Sequence, residues 1–321
     1  MSNYGESVVD RGRAAVRDHG IWVTALLSVV VFLGLAVYAD VGDVTNALAA
    51  LNWRTFAIVV GLTTVGYGFR FAKWHYYLRC LDIDVPLDAS AVTFFSGLMM
   101  VVTPGKAGEV WKAWFLRDQR GVSASKTTSV VGAERITDLI ALSAMAALGL
   151  LGYGRSSLPI IVVFGAIATG IGLLQWRRGC LAILERLEAV PVVGDYATEL
   201  EQFYESAYRL FQVRPLIVST LFSLAAWGLE GVALWVVLDG FGVEADVTTG
   251  LFVFGLGSVI GAVSMLPGGI AAAEASMVGA LIAVGYPEPV AAGATMVIRV
   301  GTLWYAAALG TAVFLAYKAT R

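Results

Sequence analysis

The chain has 321 residues, of which 58% are hydrophobic and only 14% charged, with a formal net charge of −2. The length alone would allow two soluble domains, but such domains carry about 25% charged residues, so the composition excludes them. Residues 21–39, 158–176 and 247–273 contain no charge at all, and a membrane span needs roughly 20 apolar residues, so the expected class is an all-α polytopic membrane protein.

In chain order, residues 1–20 with Arg11, Arg13 and Arg17 read as a cytoplasmic N-terminal segment. The single membrane domain is expected to run over 21–318. A first helix at about 21–39 opens with Trp22; it is too long for a signal-peptide core of about 7–15 residues and is taken as uncleaved. The acidic linker 40–52 leads to a helix at about 55–72 that ends in Arg70, Lys73 and Trp74. These two cations are expected to snorkel to headgroups. A broken pair of helices follows (about 89–103 and 107–118), then a long helix at about 127–152 and another at about 158–176.

The stretch 177–213 is the one long polar segment. Tyr196, Leu200, Phe203, Ala207, Leu210 and Phe211 recur in it at three- and four-residue spacings, the pattern of an amphipathic helix on a membrane surface or of a small helical insert packed on the protein. A helix at about 215–238, interrupted at Glu230, precedes a second broken pair (about 249–265 and 270–284) and a final helix at about 289–317. Cys80 and Cys180 are expected to be free thiols.

Two stretches carry the charged and helix-breaking residues. In the first, Pro104-Gly105 ends an apolar run and Lys106, Glu109 and Lys112 follow. Gly121 closes the segment, and the next helix carries Glu134, Arg135 and Asp138. In the second, Pro267-Gly268-Gly269 makes the break, Glu274 follows, Gly285 closes the segment and Arg299 lies in the last helix. Gly121 to Arg135 and Gly285 to Arg299 are both 14 residues, and Pro104 to Gly121 is 17 residues against 18 for Pro267 to Gly285. Matching breaks in two halves of an apolar chain point to a transport site. The repeats are set at about 55–152 and 215–317.

Orientation follows from Lys and Arg. With both termini cytoplasmic, sixteen of the 22 basic residues fall inside, two outside (Arg54 and Arg155) and four within the membrane (Lys106, Lys112, Arg135 and Arg299). That split requires each broken pair to be a re-entrant hairpin. The expected architecture is therefore about six spanning helices plus two opposed re-entrant helical hairpins in an inverted repeat, in the cell membrane.

Half-helices that begin at the two breaks would aim unpaired N–H groups and positive dipole ends at a cavity. Lys106, Arg135 and Arg299 would add full charge for a phosphate. Glu109 and Glu274 are expected either to brace the half-helices or to contact substrate, Glu134 and Asp138 to pair locally with Arg135, and Glu230 either to partner Arg299 or Arg135 or to serve proton coupling. Gly257 and Gly261 read as a helix-packing pair. No phosphate loop, metal-ligand cluster or nucleophile motif occurs, so neither cofactor nor metal nor catalytic residue is expected.

The runs Thr103-Pro104-Gly105-Lys106-Ala107-Gly108-Glu109, Glu134-Arg135-Ile136-Thr137-Asp138 and Leu266-Pro267-Gly268-Gly269, with Glu274 and Arg299, resemble the membrane domain of lysylphosphatidylglycerol synthases. That domain also occurs free-standing in flippase-like proteins and fused to glycosyltransferases, and the resemblance covers about 20–318. It implies movement of a lipid with a phosphate-bearing headgroup, such as a phospholipid or a lipid-linked sugar phosphate, between leaflets, with no nucleic-acid partner. No aminoacyl-transferase domain follows Arg321, so lysyl-lipid synthesis is not expected. After Pro267 the text runs on into alanines where a further glycine is expected. Two other readings stay open: a membrane enzyme or subunit that serves a separate glycosyltransferase or lipid-synthesis enzyme, and a secondary transporter of a soluble anion.

Overall fold

The computed structural model describes residues 52–103, 107–152, 158–188 and 196–320, with Ala49 and Gly194. The predicted first helix at 21–39 and the residues Pro104, Gly105 and Lys106 lie outside the described residues. The described residues are helical, with no strand.

Helix α1, Trp53–Cys80, is capped by Asn52, whose Oδ1 accepts from the Arg54 amide at 2.9 Å. Such a cap satisfies one of the orphan donors of a helix start. Helix α2, Leu87–Gly97, tightens into a 3-10 turn at Leu98–Val102. Beyond the first break come a 3-10 turn at Ala107–Val110 and α3, Trp111–Arg120, which Gly121 ends at φ 68°. Next are α4, Ala124–Gly152, and α5, Leu158–Gln175, followed by the insert helices α6, Arg177–Glu188, and α7, Ala197–Leu210. Helices α8, Val213–Gly240, α9, Val247–Val263, and α10, Ala272–Val284, lead to α11, Glu288–Arg299. A π turn at Val300–Trp304 joins α11 to α12, Tyr305–Ala319. Three described helices are long and apolar enough to cross a membrane: α1, α8 and the continuous rod Glu288–Ala319. The shorter apolar helices include α9 and α10.

One succession occurs twice. Helices α1 and α8 are each 28 residues long, and α8 starts 160 positions after α1 (213 less 53). Each is followed by a left-handed residue, Asp82 at φ 55° and Gly242 at φ 73°, again 160 apart (242 less 82). The Ile83 amide then bonds the Leu78 carbonyl at 2.9 Å, and the Val243 amide bonds that of Leu238 at 3.4 Å. Helices α2 and α9 begin at Leu87 and Val247, keeping the same offset (247 less 87).

Among the described residues, α1 and α8 also make the most extensive helix–helix contact. They touch at Gly66 and Ala226, where a Cβ on Gly66 would stand 3.1 Å from the Ala226 carbonyl oxygen. Further along α1, Lys73 reaches back to Ser223 at 2.8 Å, so the partner number falls as the α1 number rises. The two helices are antiparallel and meet at corresponding positions, as a local two-fold axis requires.

The insert packs on the protein. Ser206, Ala207 and Leu210 of α7 are buried, α7 lies against α4 and α6, and the Tyr204 hydroxyl donates to the Leu174 carbonyl at 3.0 Å. Burial, and then the neighbouring Cys180, push the Tyr204 phenol up to about 12, so it remains a neutral donor. Cys80 and Cys180 are free thiols.

Two expectations are corrected. Helix α1 does not end near residue 72, and Arg70 and Lys73 do not snorkel; they are 6% and 1% exposed. Helix α8 runs unbroken through Glu230. The reason is shared: Arg70 approaches Glu230 across the α1–α8 contact and Lys73 pairs with Asp138 of α4, and a paired charge need not reach water or break its helix.

Candidate functional site

The second break is an eight-residue knot between Val263 and Ala272, and in it Met265, Gly268, Gly269 and Ala271 all have positive φ. Gly268 and Gly269 adopt this region without the Cβ penalty. Gly269 also lies so close to the backbone of Gly261 that a Cβ would meet it at about 3.0 Å. Ala271 has no such freedom, yet it sits at φ 73°, ψ −51° immediately before α10. It stands in the stretch where the sequence reading expects a further glycine. Ala271→Gly should therefore raise thermal stability by about 1 kcal/mol, measured as the unfolding midpoint in detergent.

The knot borders a cavity of about 330 Å³. Tyr67 and Arg70 of α1, Arg135 and Asp138 of α4, Trp227 and Glu230 of α8, Ser258 of α9, and Arg299 and Thr302 of the last rod reach it. Gly268, Gly269 and Ala273 also line it, so the N-terminal turn of α10 forms part of its wall. Val263 and Met265 line it too, although they are 70% and 66% exposed. The chamber thus joins a charged interior to an apolar outer surface.

The interior charges form one connected network on the first-half side. Lys73 Nζ lies 2.6 Å from Asp138 Oδ1, and Ser223 Oγ donates to the same oxygen at 2.9 Å. Arg135 Nη2 stands 3.4 Å from Asp138 Oδ2 and 2.9 Å from Glu109 Oε2. Lys112 Nζ bonds Glu134 Oε2 at 2.7 Å, stands 3.6 Å from Glu109 and sits 4.6 Å from the Trp74 ring centroid. Arg70 is 3.9 Å from Asp138, 4.0 Å from Glu230 and 4.3 Å from the Trp227 ring. On the second-half side, Arg299 Nε meets Glu274 Oε1 at 2.5 Å and its Nη2 donates to the Gly268 carbonyl at 2.8 Å.

The two halves thus repeat one motif: a carboxylate just past a break pairs with the arginine of a later helix. Glu109 with Arg135 is one case and Glu274 with Arg299 the other. Arg135 is the more open of the two, its side chain 29% exposed against 10%. Arg299 is the last residue of α11, and the π turn begins at the next. π turns occur often at functional sites. Here the turn seats Gly301 on Val59 and lets the Thr302 carbonyl accept from Tyr67 Oη at 2.8 Å.

Of the sequence-predicted residues, Glu109, Lys112, Glu134, Arg135, Asp138 and Glu230 are gathered in the first network, and Gly268, Gly269, Glu274 and Arg299 around the second break. Pro267 belongs to the knot but does not line the cavity. Pro104, Gly105 and Lys106 lie outside the described residues. Asp138 pairs locally with Arg135 as expected, whereas Glu134 pairs with Lys112 and Glu230 with Arg70. Gly257 and Gly261 serve helix packing, against Met277 and Ala273.

Sequence reasoning missed Arg70, Lys73, Tyr67 and Trp227 as site residues. A signal was present: Thr63, Tyr67, Arg70, Trp74 and Tyr77 recur at three- and four-residue steps and form one buried stripe. Arg70 also stands 160 positions before Glu230, and Tyr67 before Trp227 (230 less 70, 227 less 67).

With this geometry in view, residues 25–310 match the lysylphosphatidylglycerol synthase TM region. The chain belongs to that family. It is similar to a UPF0104 membrane protein of Methanothermobacter thermautotrophicus, 28% identical over 88% of this chain and 90% of that one. A UPF0104 membrane protein of Pyrococcus horikoshii is 22% identical over 90% of this chain and 95% of its own length. The glycosyltransferase AglD of Haloferax volcanii is 22% identical over 85% of this chain, which covers half of that protein. Membership in this family and the long apolar helices together make the chain a membrane protein.

Proposed function

We propose that the protein is a lipid translocase that moves a lipid with an anionic, phosphate-bearing headgroup between leaflets. The observation that carries this reading is the cavity itself. It presents Arg70, Arg135 and Arg299 beside the N-terminal turn of α10, and it meets the apolar exterior at Val263 and Met265. Planar guanidinium groups and a helix start suit phosphate oxygens, while an apolar rim lets acyl chains stay in the bilayer.

The local two-fold between α1 and α8 supports an inverted repeat, in which the two breaks would serve opposite leaflets as re-entrant hairpins. With six spans and both termini in the cytoplasm, headgroups would pass from one break to the other through the arginine-lined chamber. The residues contribute binding and orientation rather than bond-making chemistry. The match to half of a glycosyltransferase supports a second reading, in which the domain handles the lipid substrate of a separate transferase.

Transbilayer movement of a fluorescent phosphatidylglycerol analogue in reconstituted vesicles tests the proposal. The wild-type protein should accelerate it over empty vesicles. Arg135→Gln should lower the rate by about tenfold or more, the scale of one charge-assisted contact, while Arg54→Gln at the exposed start of α1 should leave it unchanged. Movement no faster than in empty vesicles would remove the translocase reading.

A further inference from the structure

We infer that Glu274 takes up a proton when an anionic headgroup occupies the cavity, so that one proton accompanies each phosphate or phosphodiester. This inference rests on the translocase reading and names its coupling ion.

The first ground is charge balance. Among the described residues, Arg70, Lys73, Lys112, Arg135 and Arg299 are matched by Glu109, Glu134, Asp138, Glu230 and Glu274. Beside Glu274 the balance is local, Arg299 against Glu274, so an anion that draws Arg299 away leaves one negative charge uncompensated, and an uncompensated charge away from water is costly.

The second ground is what each arginine leaves behind. If Arg135 turns to a phosphate, Glu109 keeps Lys112 at 3.6 Å and Asp138 keeps Lys73 at 2.6 Å. If Arg299 turns, its departure takes the ion-pair partner of Glu274, whose residue is 1% exposed. Among the described residues, the other oxygen of that carboxylate, Oε2, is buried and has no hydrogen-bond partner. The surrounding elements offer no replacement: α9 contains no titratable side chain, α10 contains only Glu274, and α11 adds only Arg299 and Glu288. Glu288 is exposed at the opposite end of its helix. The positive end of α10 offsets part of the charge, worth about half an elementary charge at most. A carboxylate in this position is neutralised by a proton.

The step balances simply. Arg299 lines the cavity and Glu274 does not, so the proton, drawn from water in the cavity, takes the place on a Glu274 oxygen that Arg299 vacates as it binds the phosphate oxygen. Release of the headgroup returns Arg299 to Glu274 and the proton to water. An inward or outward proton gradient would then bias the direction of headgroup movement.

Proton uptake is measured on detergent-solubilised protein in weak buffer with an indicator dye, on adding short-chain phosphatidylglycerol or, separately, soluble glycerophosphoglycerol. The inference expects about one proton per bound headgroup, a new infrared band of a protonated carboxylic acid in the wild-type protein, and loss of both in Glu274→Gln with binding retained. Glu274→Asp should restore uptake. Uptake on binding the soluble anion alone would uphold the proton site and overturn the translocase reading. Binding of the lipid with no proton uptake, or uptake that persists in Glu274→Gln, would overturn the proton site and leave the translocase reading standing.

Discussion

Asp138→Leu is expected to be among the most damaging single changes in the described chain. Its carboxylate is the shared counter-ion of Lys73, Arg70 and Arg135, at 2.6, 3.9 and 3.4 Å. Removing one partner of a buried ion pair costs about 3–5 kcal/mol, because the other charge stays buried without compensation. Lys73 is the side chain most exposed to that loss, since its remaining contacts are Ser223 Oγ at 2.8 Å and long approaches to the Glu134 carbonyl and Thr137 at 3.5 Å. Denaturant unfolding in detergent should show the loss. Adding Lys73→Met to Asp138→Leu should recover part of it, because the second change removes the stranded ammonium. Equal, additive losses from the two changes would mean that the pair is not coupled.

Arg299→Met is expected to show the same physics on the second half with a functional twist. Alone it strands Glu274 and leaves the Gly268 carbonyl without its 2.8 Å donor, again at a cost of about 3–5 kcal/mol. Combined with Glu274→Gln it should recover most of the stability, since both charges are then gone. Lipid movement should not recover, because the cation that faces the cavity is absent. Stability without transport in the double variant separates the role of Arg299 in binding from its role in folding. Recovery of transport along with stability would show that Arg299 serves only to hold the fold.

The breaks and their matched charges were legible in the sequence because a Pro-Gly pair and a charged side chain are each rare inside apolar text. Glu109 could be matched to Glu274 and Arg135 to Arg299 by spacing alone; that each carboxylate pairs with the arginine of its own half is a finding of the structure. What spacing could not give is the partner across helices. Arg70 and Lys73 read as interface cations because they follow an apolar run, and nothing local indicates that Asp138 and Glu230 lie opposite them. Glu230 looked like a helix interruption for the same reason: its compensation is on α1, 160 positions earlier. The matched spacing was visible at the breaks, but the antiparallel contact of α1 with α8 was not. That contact runs through Gly66 and Ala226, two small residues whose significance is the close approach they allow.

The knot at 264–271 was legible only in outline. Proline and glycine announced a break, but the four positive-φ residues depend on the backbone path, and two of them, Met265 and Ala271, are types that rarely adopt such angles. Strain of this kind persists where surrounding structure holds it, often at ligand sites. Here the Arg299 bond to Gly268 is one such constraint.

The most direct measurement of the central claim is photo-crosslinking in membranes with two phosphatidylglycerol probes, one with its reactive group on the headgroup and one at the tail end. The account expects headgroup adducts within the cavity, at Ser258, Thr302 or Leu303, and their loss in Arg135→Gln, with tail adducts at exposed apolar positions such as Val263 and Met265. Headgroup adducts confined to the outer ends of the helices, unchanged by Arg135→Gln, would contradict it.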